Sequence, residues 1–284
     1  MLDKKITLYH ANWSLCSQMV RVALYEKGIT FKEIHIKLCD QYSEGENLNK
    51  SFLKINPLAT VPAISIDEEI IVDSVKIIKR LNTIIGKNEL DLYPTNESDI
   101  NSIIRDTTIT EGTKFATTIG TIIPVFSAPL IQFMIKKLPL KSIIKILFKH
   151  PRRDRKIIFL SMYFFNFSKK LPMIGIKKFV DELIKFENLL SKDNKYFYND
   201  FSHIDINMMC VINRLKDLQL EECINTKYTP KIRKYWENLK NRESYTKGIL
   251  NYYSKKEYDL IDKFYGNNSS EFLNHILKEI EQRN

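Results

Sequence analysis

The 284-residue chain has only eight glycines and nine prolines, few for its length, which points to long helices and few strained turns. Its four cysteines (Cys16, Cys39, Cys210, Cys223) form no CxxC pair and have no histidine at finger-like spacing, which argues against a structural zinc site. The five histidines, at positions 10, 35, 150, 203 and 275, are scattered, so no metal is expected and none of them is given a catalytic role. The opening "MLDKKITLYHANW" lacks the apolar run of a signal peptide. With no cysteine framework either, the expectation is a reducing, cytoplasmic compartment with free thiols. No internal repeat and no low-complexity tract occurs.

Hydrophobic residues make up 44% and charged residues 27%, the balance of a globular chain. The net charge of +10 is concentrated: "KKLPLKSIIKILFKHPRRDRK", residues 136–156, holds nine Lys/Arg against one Asp, a local +8. Basicity confined to one segment is not a surface built to coat nucleic acid, so no nucleic-acid partner is expected.

"KKITLYH" alternates Ile6 and Leu8 with polar neighbours and predicts a strand. Val20, Ala23 and Leu24 then recur at helical spacing up to Gly28, which suits a left-handed C-terminal cap. "FKEIHIKL" (Phe31–Leu38) predicts a second strand, followed by a short helix near Asn49–Ile55. "VPAISIDEEIIVDS" (Val61–Ser74) predicts a hairpin, and a helix follows through Val75, Ile78 and Leu81. Beyond a polar linker the patterns are helical, as in "IKKFVDELIKFENLL" and "HIDINMMCVINRLKDL". A small α/β domain over residues 1–86, a linker over 87–98 and an all-α domain over 99–284 are expected.

The segments "SLCSQMVRVALYEKGI", "FLKINPLATVPAI" and "IIVDSVKIIKRL" together resemble the N-terminal domain of cytosolic glutathione S-transferases, and "YNDFSHIDINMMCVINRL" resembles their second domain. "SLCSQMVR" is most similar to the tetrachlorohydroquinone dehalogenase-like and zeta classes. The long stretch around 117–167 resembles ganglioside-induced differentiation-associated protein. The resemblance implies a thioredoxin-like domain followed by an all-helical one. It also implies glutathione as co-substrate, a small electrophile as second substrate, and a homodimer. The alternative is a catalytically weak relative that acts at a membrane surface or on a protein partner.

Each candidate residue carries two readings. Ser14 is an N-cap by position; the resemblance makes it the hydroxyl that activates the glutathione thiol. Cys16 lies in the first helical turn, where the helix field should lower its pKa. The resemblance gives it a mixed-disulfide role, while the plain reading is a small buried hydrophobe. Val61–Pro62 either begins an edge strand or, as the resemblance implies, is a cis pair that offers the Val61 backbone to the cysteinyl part of glutathione. Asp73 and Ser74 open a helix, and the resemblance has them hold the γ-glutamyl ammonium and carboxylate. Many family members carry Glu at the Asp73 position. Lys50 and Lys54 are weak candidates for the glycyl carboxylate. Arg21 and the capping box "SHID" (Ser202–Asp205) read as structural.

"TTIGTIIPVFSAPLIQFMI" (Thr117–Ile135) carries no charge for nineteen residues, but Gly120, Pro124 and Pro129 speak against a continuous membrane span. Either these helices pack on the core and wall an electrophile pocket, or the lysine-rich stretch 136–156 makes a peripheral contact with anionic lipid.

Overall fold

The computed structural model describes residues 4–94, 97–110, 112–166, 170–266 and 268–283. Residues 1–3, residues 95–96 of the expected linker, Phe167 at the end of the expected insertion and Asn284 lie outside the described residues.

Strand β1 (Ile6–His10) alternates buried and half-buried positions as its sequence predicts. Helix α1 (Leu15–Glu26) follows. Gly28 just beyond it takes φ +61°, a conformation that costs glycine little. Strand β2 (Lys32–His35) is shorter than the predicted Phe31–Leu38, and it pairs in parallel with the last four residues of β1. A single helical turn, α2 (Lys50–Leu53), leads to the hairpin β3 (Ala63–Ile66) and β4 (Glu69–Val72), and then to α3 (Ser74–Asn82). The sheet order is β2-β1-β3-β4, with β3 antiparallel to both of its neighbours.

Helices complete the chain: α4 (Glu97–Thr107), α5 (Ile119–Lys136), α6 (Leu140–Lys149), α7 (Arg153–Phe164), α8 (Lys170–Leu189), α9 (His203–Asp217), α10 (Pro230–Lys240), α11 (Glu243–Gly248), α12 (Lys255–Tyr265) and α13 (Leu273–Arg283). The N-terminal part is thus thioredoxin-like and the rest all-helical. Helix α5 runs on through Pro124 and Pro129 and is long and apolar enough to cross a membrane, yet two-thirds of it is buried inside the protein. It is a core helix: Phe126 stacks on Phe272 and meets Phe179 of α8 edge-on. The Ser202–Asp205 cap is present. Asp205, fully buried, accepts hydrogen bonds from the Ser202 N–H and hydroxyl, the Phe197 N–H and the Tyr235 hydroxyl. It is a folding element, as the sequence predicts.

Two arginines tie the sheet to the helices through the loop that follows β1. Arg21 of α1, fully buried, donates to the carbonyls of Ala11 (3.2 Å), Asn12 (2.9 Å) and Gly248 (2.8 Å). Arg214 of α9 donates to the next carbonyl, that of Trp13, and lies 3.7 Å above the Trp13 ring. The indole N–H of Trp13 completes the knot by donating to Asp217 at 2.9 Å. Gly248 makes this close packing of α11 on α1 feasible, because a Cβ there would come within 3.0 Å of Val22.

Burial keeps three histidines neutral. His10 and His203 are held down to about 3 and His150 to about 4, with the Arg21 charge adding to the effect at His10. Unfolded chains bind these protons below about pH 6.5 and the native state does not. Stability is therefore whole above pH 6.5 and falls on acidification, by about 1.4 kcal/mol per pH unit for each histidine. Urea unfolding at pH 7.0, 6.0 and 5.0 should show this decline, with a shallower slope in His203→Asn. A flat profile over that range would contradict it.

Candidate functional site

The sheet register alone gathers the predicted residues. Tyr9 of β1 faces Ala63 of β3, and Ala63 faces Val72 of β4. One step back or forward along these strands, Val61–Pro62 and Asp73–Ser74 meet the loop carrying Ser14. The starts of α1 and α3 therefore converge at one end of the sheet, each presenting the positive end of a helix dipole.

Ser14 is the N-cap of α1, its oxygen accepting from the Ser17 N–H at 3.3 Å. Capping consumes a lone pair and leaves the hydroxyl proton, on a half-buried side chain, available to donate. The Val61–Pro62 peptide bond is cis. The loop before it is pinned by the side-chain amide of Asn47, which donates to the Ala59 carbonyl, and that of Asn56, which donates to Thr60. Asp73 caps α3, one carboxylate oxygen accepting from the N–H groups of Val75 (2.9 Å) and Lys76 (3.3 Å). It does so at φ +77°, a strained backbone for a non-glycine residue and one that recurs where a site demands it. The other oxygen accepts from the Thr110 hydroxyl at 3.0 Å. Ser74 is 2% exposed, and its hydroxyl makes no hydrogen bond of good geometry among the described residues, its polar neighbour being the Cys16 thiol.

Cys16 corrects one expectation. The helix field was to lower its pKa, but burial dominates and pushes the thiol up to about 11. The nearby Ser74 hydroxyl and the Arg214 and Arg155 charges pull it down, while Asp73 pushes it up further. Its sulfur lies 4.0 Å from the Ile109 carbonyl, under the loop that joins α4 to α5.

That loop and Arg155 were not predicted. Thr110 and Ile109 lie in a polar stretch with no motif. Arg155 was visible only as one charge among nine. Helix α7 brings it across from the insertion until its charge acts on Cys16 and Asp40, with its guanidinium 6.0 Å from the Phe115 ring. Its charge is shared among Asp40, Asp154 and the Cys16 thiol, and at the thiol it is the smallest of the effects that favour the anion. Lys50 and Lys54 are exposed. The roomier cavities, about 390 Å³ between the end of α8 and the start of α10 and about 280 Å³ beside Phe264 and Phe272, lie away from these residues.

The glutathione S-transferase N-terminal domain family matches residues 13–84, a span that contains all six predicted site residues. Over nearly the whole chain the sequence is similar to glutathione S-transferase TCHQD of Arabidopsis thaliana, 25% identical over 276 residues, 87% of this chain and 90% of that one. Residues 13–84 thus carry a glutathione S-transferase N-terminal domain, and over most of its length the chain resembles the glutathione S-transferase superfamily. Within it, the relatives are TCHQD-like and zeta-like. A zeta-class glutathione S-transferase of Euphorbia esula is 39% identical over 77 residues, 27% of this chain and about a third (32%) of its own length. Among solved structures, β-etherase LigF from Sphingobium sp. strain SYK-6 superposes with a TM-score of 0.72 at 17% identity, over 86% of this chain and 98% of that one. A zeta-class maleyl pyruvate isomerase superposes at 0.58 and 16% identity, over 88% of this chain and 99% of that one. These two identities speak for the glutathione S-transferase fold alone.

With its pKa near 11, Cys16 is a protonated thiol at neutral pH. Its alkylation by iodoacetamide, followed by peptide mass spectrometry, should therefore be slow at pH 7.5 and still be rising at pH 10. A rate that levels off below pH 8 would show that the thiolate is stabilised after all.

Proposed function

We propose that the chain is a glutathione transferase that holds glutathione at the end of the sheet and directs its sulfur at a small electrophile. The observation that carries this reading is Ser74: a buried hydroxyl whose one polar neighbour is the weakly bonding Cys16 thiol, at the start of a helix, next to another helix start. A buried polar group left poorly paired costs up to about 1–3 kcal/mol, and a carboxylate ligand would remove that cost. In this reading the γ-glutamyl carboxylate takes the Ser74 hydroxyl. The ammonium takes the Asp73 oxygen now held by Thr110, and the peptide runs along Val61–Pro62. The sulfur then lies near Ser14, whose free O–H donates to the thiolate once the thiol proton has left to solvent. The α1 N-terminus and the Arg155 charge favour the same anion. The thiolate attacks the electrophilic carbon, and the leaving group departs with the bonding electrons.

A thiol-exchange step, with Cys16 attacking the sulfur of a glutathionyl adduct, ranks second because its thiolate is scarce at neutral pH. The same reading makes the protein cytoplasmic. A peripheral membrane contact through 136–156 is a separate attribute that does not depend on the chemistry.

Calorimetric titration with reduced glutathione tests the site. Ser74→Ala and Asp73→Ala should each weaken binding about 10- to 100-fold, the usual effect of losing a hydrogen bond to a charged group. Ser14→Ala should bind within a few-fold of the parent but lose the thiolate absorbance near 240 nm and most of kcat. A flat titration of protein that is folded by circular dichroism would overturn the enzyme reading and leave the catalytically weak binding protein.

A further inference from the structure

The inserted helices α6 and α7 use their faces for different purposes. On α6, Ser142, Ile143 and Ile146 are buried. The Ser142 hydroxyl donates to the Ser43 carbonyl at 3.0 Å, and the Lys145 ammonium donates to the Gly45 carbonyl at 3.0 Å. Ile143 and Ile146 share a small core with Cys39, Leu48 and Ala59 of the thioredoxin-like part. This face fastens the insertion to the sheet domain.

A different stripe of α6 has no cover. Leu140, Ile144, Leu147 and Phe148 follow the i, i+4, i+7, i+8 spacing of one helix face, and all are exposed, Phe148 at 76%. Helix α7 adds Ile157 and Phe164 in the same state. Nine of the fifteen large hydrophobics exposed among the described residues fall between 140 and 174, about an eighth of the chain. Scattered exposed apolar residues need no explanation, but this concentration does. Cations border it: Lys141, Lys149 and Arg153 are exposed, and Asp154, the one acid in 136–156, is already paired with Arg152.

From this arrangement we infer that the outer face of α6 and α7 is a docking surface for an anionic lipid bilayer. On it the apolar stripe enters the headgroup–acyl boundary and the flanking lysines meet lipid phosphates and carboxylates. The inference builds on the peripheral contact read from 136–156 and is independent of glutathione chemistry. Charge decides the occupant. The exposed Lys141, Lys149 and Arg153, with the one nearby acid already paired, call for an anionic surface, and polyanionic nucleic acid would leave the protruding aliphatic and aromatic side chains in water. Side chains that stand off the surface, as Phe148 does, suit insertion between lipids better than a protein partner that itself needs a protruding anchor.

The two native tryptophans, Trp13 and Trp236, are buried, so Phe148→Trp in the full chain adds a single exposed reporter. With vesicles of phosphatidylcholine and phosphatidylserine (7:3) at low salt, its emission should shift to the blue and the protein should co-sediment. Pure phosphatidylcholine vesicles should bind at least tenfold more weakly. Leu147→Ser/Phe148→Ser and Lys141→Glu/Lys149→Glu change only exposed side chains, and thermal unfolding checks that both fold. Each should reduce co-sedimentation at least tenfold. Binding that survives the serine pair would mean electrostatic adsorption without insertion and would overturn the inference. So would no vesicle binding together with self-association that Leu147→Ser/Phe148→Ser abolishes, which would make the face a contact between copies of the chain.

Discussion

Three consecutive carbonyls, those of Ala11, Asn12 and Trp13, are held by two buried arginines, and the candidate site depends on this constraint. Arg21 comes from the helix that the loop itself introduces, and Arg214 from the core helix of the other half. Buried guanidinium groups are tolerated only when their charge is matched, and here backbone oxygens hold Arg21 while the Trp13 carbonyl and the Asp217 carboxylate, 3.3 Å from the Arg214 Nε, offset Arg214. The loop can therefore not shift without unpairing buried charge. That fixes where α1 begins, and hence where Ser14 and Cys16 stand relative to Asp73 and Ser74.

Around this fixed loop, capping and the proposed glutathione binding draw on the same atoms. Helix starts need acceptors for their free N–H groups, and a peptide ligand with a carboxylate and a thiolate supplies acceptors of the same kind. Ser14 and Asp73 serve as caps and retain, respectively, a proton to give and an oxygen to share. The two readings offered by the sequence are thus compatible. Thr110 shows the other side of this economy. The loop after α4 satisfies Asp73 with a neutral hydroxyl, a partner that a charged ammonium can displace.

The insertion resolves differently. Its sequence reads as an amphipathic, basic segment with alternative uses, and the structure divides those uses among faces. Ile143, Ile146 and Lys145 dock on the sheet domain, Arg155 brings its charge within reach of Asp40 and the thiol, and the stripe through Phe148 is left open. Periodicity marked the helices. It could not tell which apolar stripe meets protein, because α6 carries two.

What the sequence determined by itself is local or carried by short spacing: the strand alternation of Ile6 and Leu8, the caps at Ser14, Asp73 and Ser202, the left-handed Gly28, the hairpin, and the family likeness of residues 13–84. Capping, turn chemistry and hydrophobic period act over a few residues, so a few residues reveal them. Only the tertiary structure decided the rest. The Cys16 pKa depends on how much protein covers the thiol, and burial outweighs the helix field that position alone suggested. Thr110 and Arg155 reach the site from 37 and 82 residues beyond Asp73, through packing that no local pattern encodes. Desolvation and long-range charge are properties of what surrounds a group in space, and the sequence states only its neighbours along the chain.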